Sequence, residues 1–175
     1  MDQTFFSRLF KRPPTPLLET PETQAESGSA EAQFHLGLKY ANGEGPAQDY
    51  EQAARWYLKA AEQDHVLAQF NLALMYAGGQ GVSRNDSEAE IWFGKAAEHG
   101  DAGAQHNLGL RRYRASLSGP PENMPEARIK AYTWFTLAAA QGYGGSGTAS
   151  ATVVLKMTRQ DVAEANERVA AFRSS

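Results

Sequence analysis

A chain of 175 residues with 21% charged side chains and a formal net charge of −3 has the size and composition of one globular domain. The absence of cysteine excludes a disulfide scaffold, a thiolate metal centre and a cysteine nucleophile. No apolar run approaches the roughly 18–20 residues that cross a bilayer, and the acidic balance argues against general nucleic-acid binding.

The charge is unevenly spread. Residues 1–12 are net +2, residues 13–31 net −4, residues 32–101 net −5 and residues 102–175 net +4. The folded part therefore has an acidic front and a basic rear, a polarity able to steer a partner or simply to solvate a surface.

In chain order, the first segment is MDQTFFSRLFKR. Phe5, Phe6, Leu9 and Phe10 form one apolar face of a short helix, with Arg8, Lys11 and Arg12 opposite or after it. The order of charge and apolar residues is not that of a signal peptide. Three readings stay open: a foot making weak contact with an anionic membrane surface, a linear motif that docks on a partner, and a frayed terminus. Residues 11–30 then carry four prolines followed by Glu, Ser, Gly and Thr. Such a composition cannot bury enough apolar surface to order itself, so residues 1–29 are expected to form a disordered arm.

From residue 32 the sequence repeats. Fifteen residues between Ala32 and Glu62, among them Leu36, Tyr40, Gly43, Gly45, Ala53, Trp56, Ala60 and Ala61, find the identical residue 36 positions later. A third copy starts with AQHNLGL at 104–110, carries about six extra residues around SLSGPPENMP, and rejoins at KAYTWFTLAAAQG. Each copy reads as two helices. Ala32, Leu36 and Tyr40 mark one face of the first; Ala53, Trp56, Tyr57 and Ala60 mark one face of the second. The glycines at 43, 45, 79 and 81 provide the stop and the left-handed turn between them. Asp49, Ser87 and Asn123 are the expected caps of the second helices. Residues 146–157 stand where a fourth first-helix would begin. A Thr158-to-Asp161 capping pair then precedes a stripe of Val162, Ala165, Val169 and Phe172 that can close the stack.

The pattern A-x-x-x-L-G-x-x-Y-x-x-G-x-G followed by A-x-x-W-x-x-x-A-A resembles the Sel1-like repeat family, relatives of the tetratricopeptide repeat. It is carried by Leu36-Gly37, Tyr40, Gly43, Gly45, Trp56 and Ala60-Ala61, and again by Leu72, Tyr76, Gly79, Gly81, Trp92 and Ala96-Ala97. The third copy departs, with Arg112 at the Tyr position and SLSGPPEN in place of the glycine loop. The resemblance implies an all-α fold: an α-solenoid of three helix-turn-helix repeats (about 30–65, 66–101 and 102–142) with a C-terminal helical cap at 146–173. It also implies a bacterial adaptor without shared chemistry.

Nothing in the sequence assembles a catalytic pairing. The four histidines, 35, 65, 99 and 106, have no metal-ligand spacing, and GGSGT at 144–148 lacks the lysine of a phosphate loop. The expected function is a non-catalytic adaptor, without cofactor or metal, that takes a protein or peptide on the concave face lined by the first helices. The positions flanking the Leu-Gly pair on that face are His35, Leu38, Asn71, Leu74, His106, Asn107 and Leu110, with Arg111 and Arg114 adding positive charge at one end. The alternatives are a regulator tethered to membrane by residues 1–12 and an enzyme or enzyme subunit. The expected location is the cytoplasm or the inner face of its membrane.

Overall fold

The computed structural model describes residues 20–174. Phe5, Phe6, Leu9 and Phe10 lie outside the described residues. Among the described residues there are nine α-helices, one 3₁₀ turn and no strand. They are α1 (Pro21–Glu26), α2 (Ala30–Asn42), α3 (Tyr50–Ala61), α4 (Val66–Gly78), α5 (Asp86–Glu98), α6 (Ala102–Ser118), the 3₁₀ turn Pro121–Asn123, α7 (Met124–Ala140), α8 (Ser146–Val154) and α9 (Arg159–Ser174). The pairs α2–α3, α4–α5 and α6–α7 are the three repeats, stacked as an α-solenoid. None of the described helices is long and apolar enough to cross a membrane.

Within a repeat, close approach of the two helices depends on a small residue in the first. A Cβ added at Gly37 would stand 2.6 Å from the Tyr57 ring, and one at Gly109 would stand 2.6 Å from the Phe135 ring. The second repeat has Ala73 there against Phe93, both buried. Each of the first two repeats turns on a left-handed glycine, Gly43 or Gly79, which ends the first helix. Gly81 has a further duty. A Cβ there would lie 2.0 Å from the Tyr50 carbonyl oxygen, so only glycine lets this loop rest on the start of the preceding repeat's second helix.

The caps differ in part from expectation. Asp49 accepts from the Glu51 and Gln52 amides as expected. In the second repeat the cap is Asn85, not Ser87: its side chain accepts from the Ser87 and Glu88 amides. Asn123 stands at the cap position of α7 but makes no side-chain capping bond, because its own backbone is already helical. The third repeat absorbs its extra residues by extending α6 to 17 residues and adding the 3₁₀ turn. Thr158 and Asp161 cap α9 reciprocally. The β-branched run in α8 is helical all the same, since Val153 is wholly buried against Ala131 and Phe135, and packing overrides the weak propensity.

Units are joined by a buried amide. Gln33, Gln69 and Gln105 stand at the same place in their first helices and are 5%, 0% and 1% exposed. Each donates Nε2 to a carbonyl in the last turn of the preceding helix: Ala25 at 3.1 Å, Ala61 at 3.2 Å and Ala97 at 3.2 Å.

Residues 20–29, expected within the disordered arm of residues 1–29, are helix and turn docked on α2. Ala25, Ala61 and Ala97 are 36 residues apart, as are Glu26, Glu62 and Glu98. Gly28, Asp64 and Gly100 share a positive φ, and Ser29, His65 and Asp101 each cap the helix that follows. Residues 20–29 thus hold, against α2, the place that the last turns of a second helix hold against α4 and α6. Thr20 caps α1, Pro21 starts it, Ala25 is buried against Ala32 and Leu36, and Lys39 pairs with Glu22 at 2.8 Å. A chain starting at residue 30 should therefore be less stable than one starting at residue 20, by about 1–3 kcal/mol for the lost apolar contact and the lost carbonyl partner. Chemical denaturation of the two fragments measures it, and equal midpoints would contradict the docking of α1.

The amide oxygen of each clamp residue is also served, with one exception. Gln63 Nε2 donates to Gln33 Oε1 at 2.7 Å, and Gln141 Nε2 donates to Gln105 Oε1 at 3.0 Å. In the middle unit the corresponding residue is His99, whose Nδ1 instead lies 3.0 Å from its own helix's Lys95 carbonyl. Gln69 Oε1 is accordingly buried without a partner. His99→Gln should supply the missing donor and raise stability by about 1 kcal/mol, read as an increase in Tm; no increase would separate the orphaned oxygen from the residue at 99.

Candidate functional site

The solenoid has two candidate binding surfaces: the outward face of the first helices and the seams between second helices. The sequence-derived residues fall on the first helices, but the structure uses them unequally.

In α2, His35 is exposed and meets Glu31 at 2.8 Å. The other oxygen of Glu31 lies 3.1 Å from His65 Nε2, so one carboxylate bridges two imidazoles. His65 Nδ1 accepts from the Ala68 amide as the cap of α4, and its ring stacks on Phe34 at 4.5 Å. These contacts assign its proton to Nε2, facing the carboxylate. The His65 hydrogen bond holds the Glu31 carboxyl below its ordinary value. Leu38 is half-buried against the core. Together with Pro21 and Gln24 of α1, His35 and Leu38 line a pocket of about 430 Å³.

In α4, Asn71 is half-buried and has no side-chain hydrogen-bond partner among the described residues. Leu74 is 39% exposed, and one helical turn before Asn71 stands Leu67, 51% exposed. Leu67 was missed in the sequence because the repeat places Glu31 and Gly103 there, so no shared pattern marks it.

In α6 the expected groove residues turn to structural tasks. His106 Nδ1 bonds Ser146 Oγ at 2.8 Å and its ring packs 5.1 Å from Tyr143 and 5.4 Å from Phe135, tying α6 to the cap. Asn107 donates to the Gly103 carbonyl of its own helix. Leu110 packs into the cluster of Ala131, Phe135 and Val153. Arg111 reaches back to Asp86 at 3.3 Å and lies over the Phe93 ring, bracing α6 against the start of α5. Arg114 is exposed. The site residues are therefore not one continuous groove: α2 and α4 present free surface, and α6 presents chiefly Arg114.

Among the described residues no group of three or more metal-ligating side chains is placed to hold an ion. Burial lowers the His106 pKa below its ordinary value. A histidine that resists protonation when folded contributes stability above the unfolded value, and that contribution is lost as pH falls through about 6.5. The carboxylates lowered by their partners, Glu31, Asp86 and Glu126, lose theirs at more acid pH. The Tm should fall between pH 7.5 and 5.5, and His106→Gln should remove part of that fall; an unchanged slope would place the titration elsewhere.

The Sel1 repeat model matches residues 30–65, 66–101 and 102–143. Two solved structures are similar. One is c5321, a protective antigen present in uropathogenic Escherichia coli strains that displays an SLR fold: identity is 38% and the TM-score 0.62, with 70% of this chain and 25% of that one covered. The chain thus spans about a quarter of the length of that antigen. The other is a Sel1 repeat protein from Oxalobacter formigenes, with 35% identity and a TM-score of 0.63 over 75% of this chain and 95% of that one. No curated protein matches. Three consecutive matches covering most of the chain, in register with the three helix pairs and their glutamine clamps, make it a member of the Sel1 repeat family.

Proposed function

We propose that the protein is a non-catalytic adaptor that binds a protein or extended peptide across the first-helix face of α2 and α4. Sel1 repeat proteins are in general scaffolds for protein interactions. The observation that carries the specific surface is the stripe Leu67–Asn71–Leu74 on α4. Two leucines stand exposed at i and i+7 around an amide with no partner among the described residues. Such a stripe costs solvation in the free protein and matches an extended backbone that brings apolar side chains and one amide-directed hydrogen bond. At the equivalent positions of α2, His35 and Leu38 line the pocket closed by α1.

The test is affinity capture followed by crosslinking from positions 67 and 74. Crosslinks should map a partner to α2 and α4. The Leu67→Asp, Leu74→Asp double variant should keep its Tm and lose at least tenfold in affinity, since both side chains are exposed. Arg111→Ala should lower the Tm through loss of the Asp86 contact, whereas Arg114→Ala should alter only the salt dependence of binding. Crosslinks confined to the second helices, or full affinity in the leucine variant, would reject this face.

A further inference from the structure

The seam between α5 and α7 differs from the equivalent seam one unit earlier, and the difference is one of both space and charge. At the first seam, Ala54, Arg55 and Leu58 of α3 face Leu72 and Tyr76 of α4 around a cavity of about 220 Å³. Leu58 packs on the core there, and Trp92 of the next second helix is buried at 7% exposure. At the second seam the corresponding residues are Glu90, Ile91 and Gly94 of α5, facing Leu108 and Arg112 of α6. The cavity grows to about 550 Å³, and Trp134, the counterpart of Trp92, forms part of its wall. Gly94 and Arg112 are the causes. The glycine removes the leucine that fills the first seam, and a Cβ built on it meets nothing within 4 Å. The arginine replaces a tyrosine and swings to Glu90. A glycine inside a helix is less favourable than alanine, so the opening is a local departure from what packing favours.

Charge changes at the same place. Lys130 stands where the preceding unit has Glu88, and Arg168 of α9 joins the wall. Lys95, Arg112, Lys130 and Arg168 thus face Glu90 and Glu98 around an apolar floor. Arg112 is engaged by Glu90, Arg168 and Lys130 share Glu126 at 2.9 and 3.3 Å, and Arg168 also meets Glu164 at 2.5 Å. Lys95 has no carboxylate partner among the described residues; its ammonium lies 4.4 Å from the Trp92 ring centroid.

We propose that this seam is a second binding site, independent of the first-helix face, that takes the carboxyl-terminal segment of a partner protein by burying a large apolar side chain in the space vacated at Gly94 and placing the terminal carboxylate against Lys95 and Lys130. The vacated volume matches an aliphatic or aromatic side chain, because an aliphatic one fills it in the preceding unit. Lys95, the rim cation without a carboxylate partner among the described residues, selects a carboxylate over an amide.

The repeat itself supplies the blocking variants. Gly94→Leu restores the residue of the first seam, and Lys130→Glu restores its acid. The full chain, with its three tryptophans labelled at the indole nitrogen, is titrated with N-acetyl-Ala-Ala-Leu-Phe as the free acid, with the same peptide as its carboxyl-terminal amide, and with decanoate. The Trp134 indole resonance should shift saturably with the free acid. Affinity should be at least fivefold weaker for the amide and for Lys130→Glu, and at least tenfold weaker for Gly94→Leu, whose Tm should be unchanged or higher. Should Gly94→Leu fail to fold, Lys130→Glu carries the same comparison. The proposal is overturned by the absence of a saturable shift at Trp134, by equal affinity for acid and amide, by undiminished binding in the folded variants, or by decanoate binding as tightly as the peptide.

Discussion

Every repeat in this solenoid hangs on a side-chain amide that has been taken out of water. Gln33, Gln69 and Gln105 are as buried as the leucines and alanines around them, and each bonds a backbone carbonyl in the helix before it. A buried amide is costly unless paired, so the bond acts as a register pin: a slip of one residue would leave the glutamine unsatisfied and a carbonyl exposed inside the stack. The alanine pairs at 60–61 and 96–97 let the helices come close enough for the amide to reach. The aromatic rings then fill the space that remains, with Tyr57, Phe93 and Phe135 lying over a glycine or alanine of the first helix.

The same pin explains how the stack ends. At the front of the described residues, the six helical residues of α1 supply the buried Ala25 and its carbonyl, which are what Gln33 requires. At the rear the solution is different. His106 and Ser146 join α6 to α8, while Arg168 of α9 holds Glu126 of α7 by two bonds of 2.9 Å. The first described repeat is thus flanked by a helix that follows the repeat pattern, and the third by helices that leave it.

Much of the fold is legible in the sequence, because stacking enforces periodicity: the 36-residue spacing of Trp56 and Trp92 already contains the helix pairs and the unit boundaries. What the periodicity hides is any element too short to show it. Residues 20–29 share only Ala25, Glu26 and a turn-and-cap pattern with the later units, and the prolines before them speak for disorder. Composition argues about average burial, whereas α1 is held by one alanine, one carbonyl and one ion pair. The cap at Asn85 was obscured for a similar reason. Asp49 has an asparagine as its counterpart one unit on, and the neighbouring serine is an equally good capper by type.

The candidate sites were legible to a smaller degree, and for the opposite reason. Residues that recur in phase are there to stack, so position on a helix face marks a groove only where the recurrent residue is not needed for packing. His106 and Leu110 sit at groove positions and are spent on the cap and core. Leu67, Gly94 and Arg112 carry more information because they break the pattern. Each stands where a sister unit has something else, and each changes the surface, one by exposing an apolar side chain and two by opening a seam. In a repeat protein the conserved phase describes the scaffold, and functional specificity must be encoded in departures from it. The unit-to-unit differences at 58 and 94, and at 76 and 112, convert a filled seam into a cavity more than twice as large without altering the clamp that holds the helices in place.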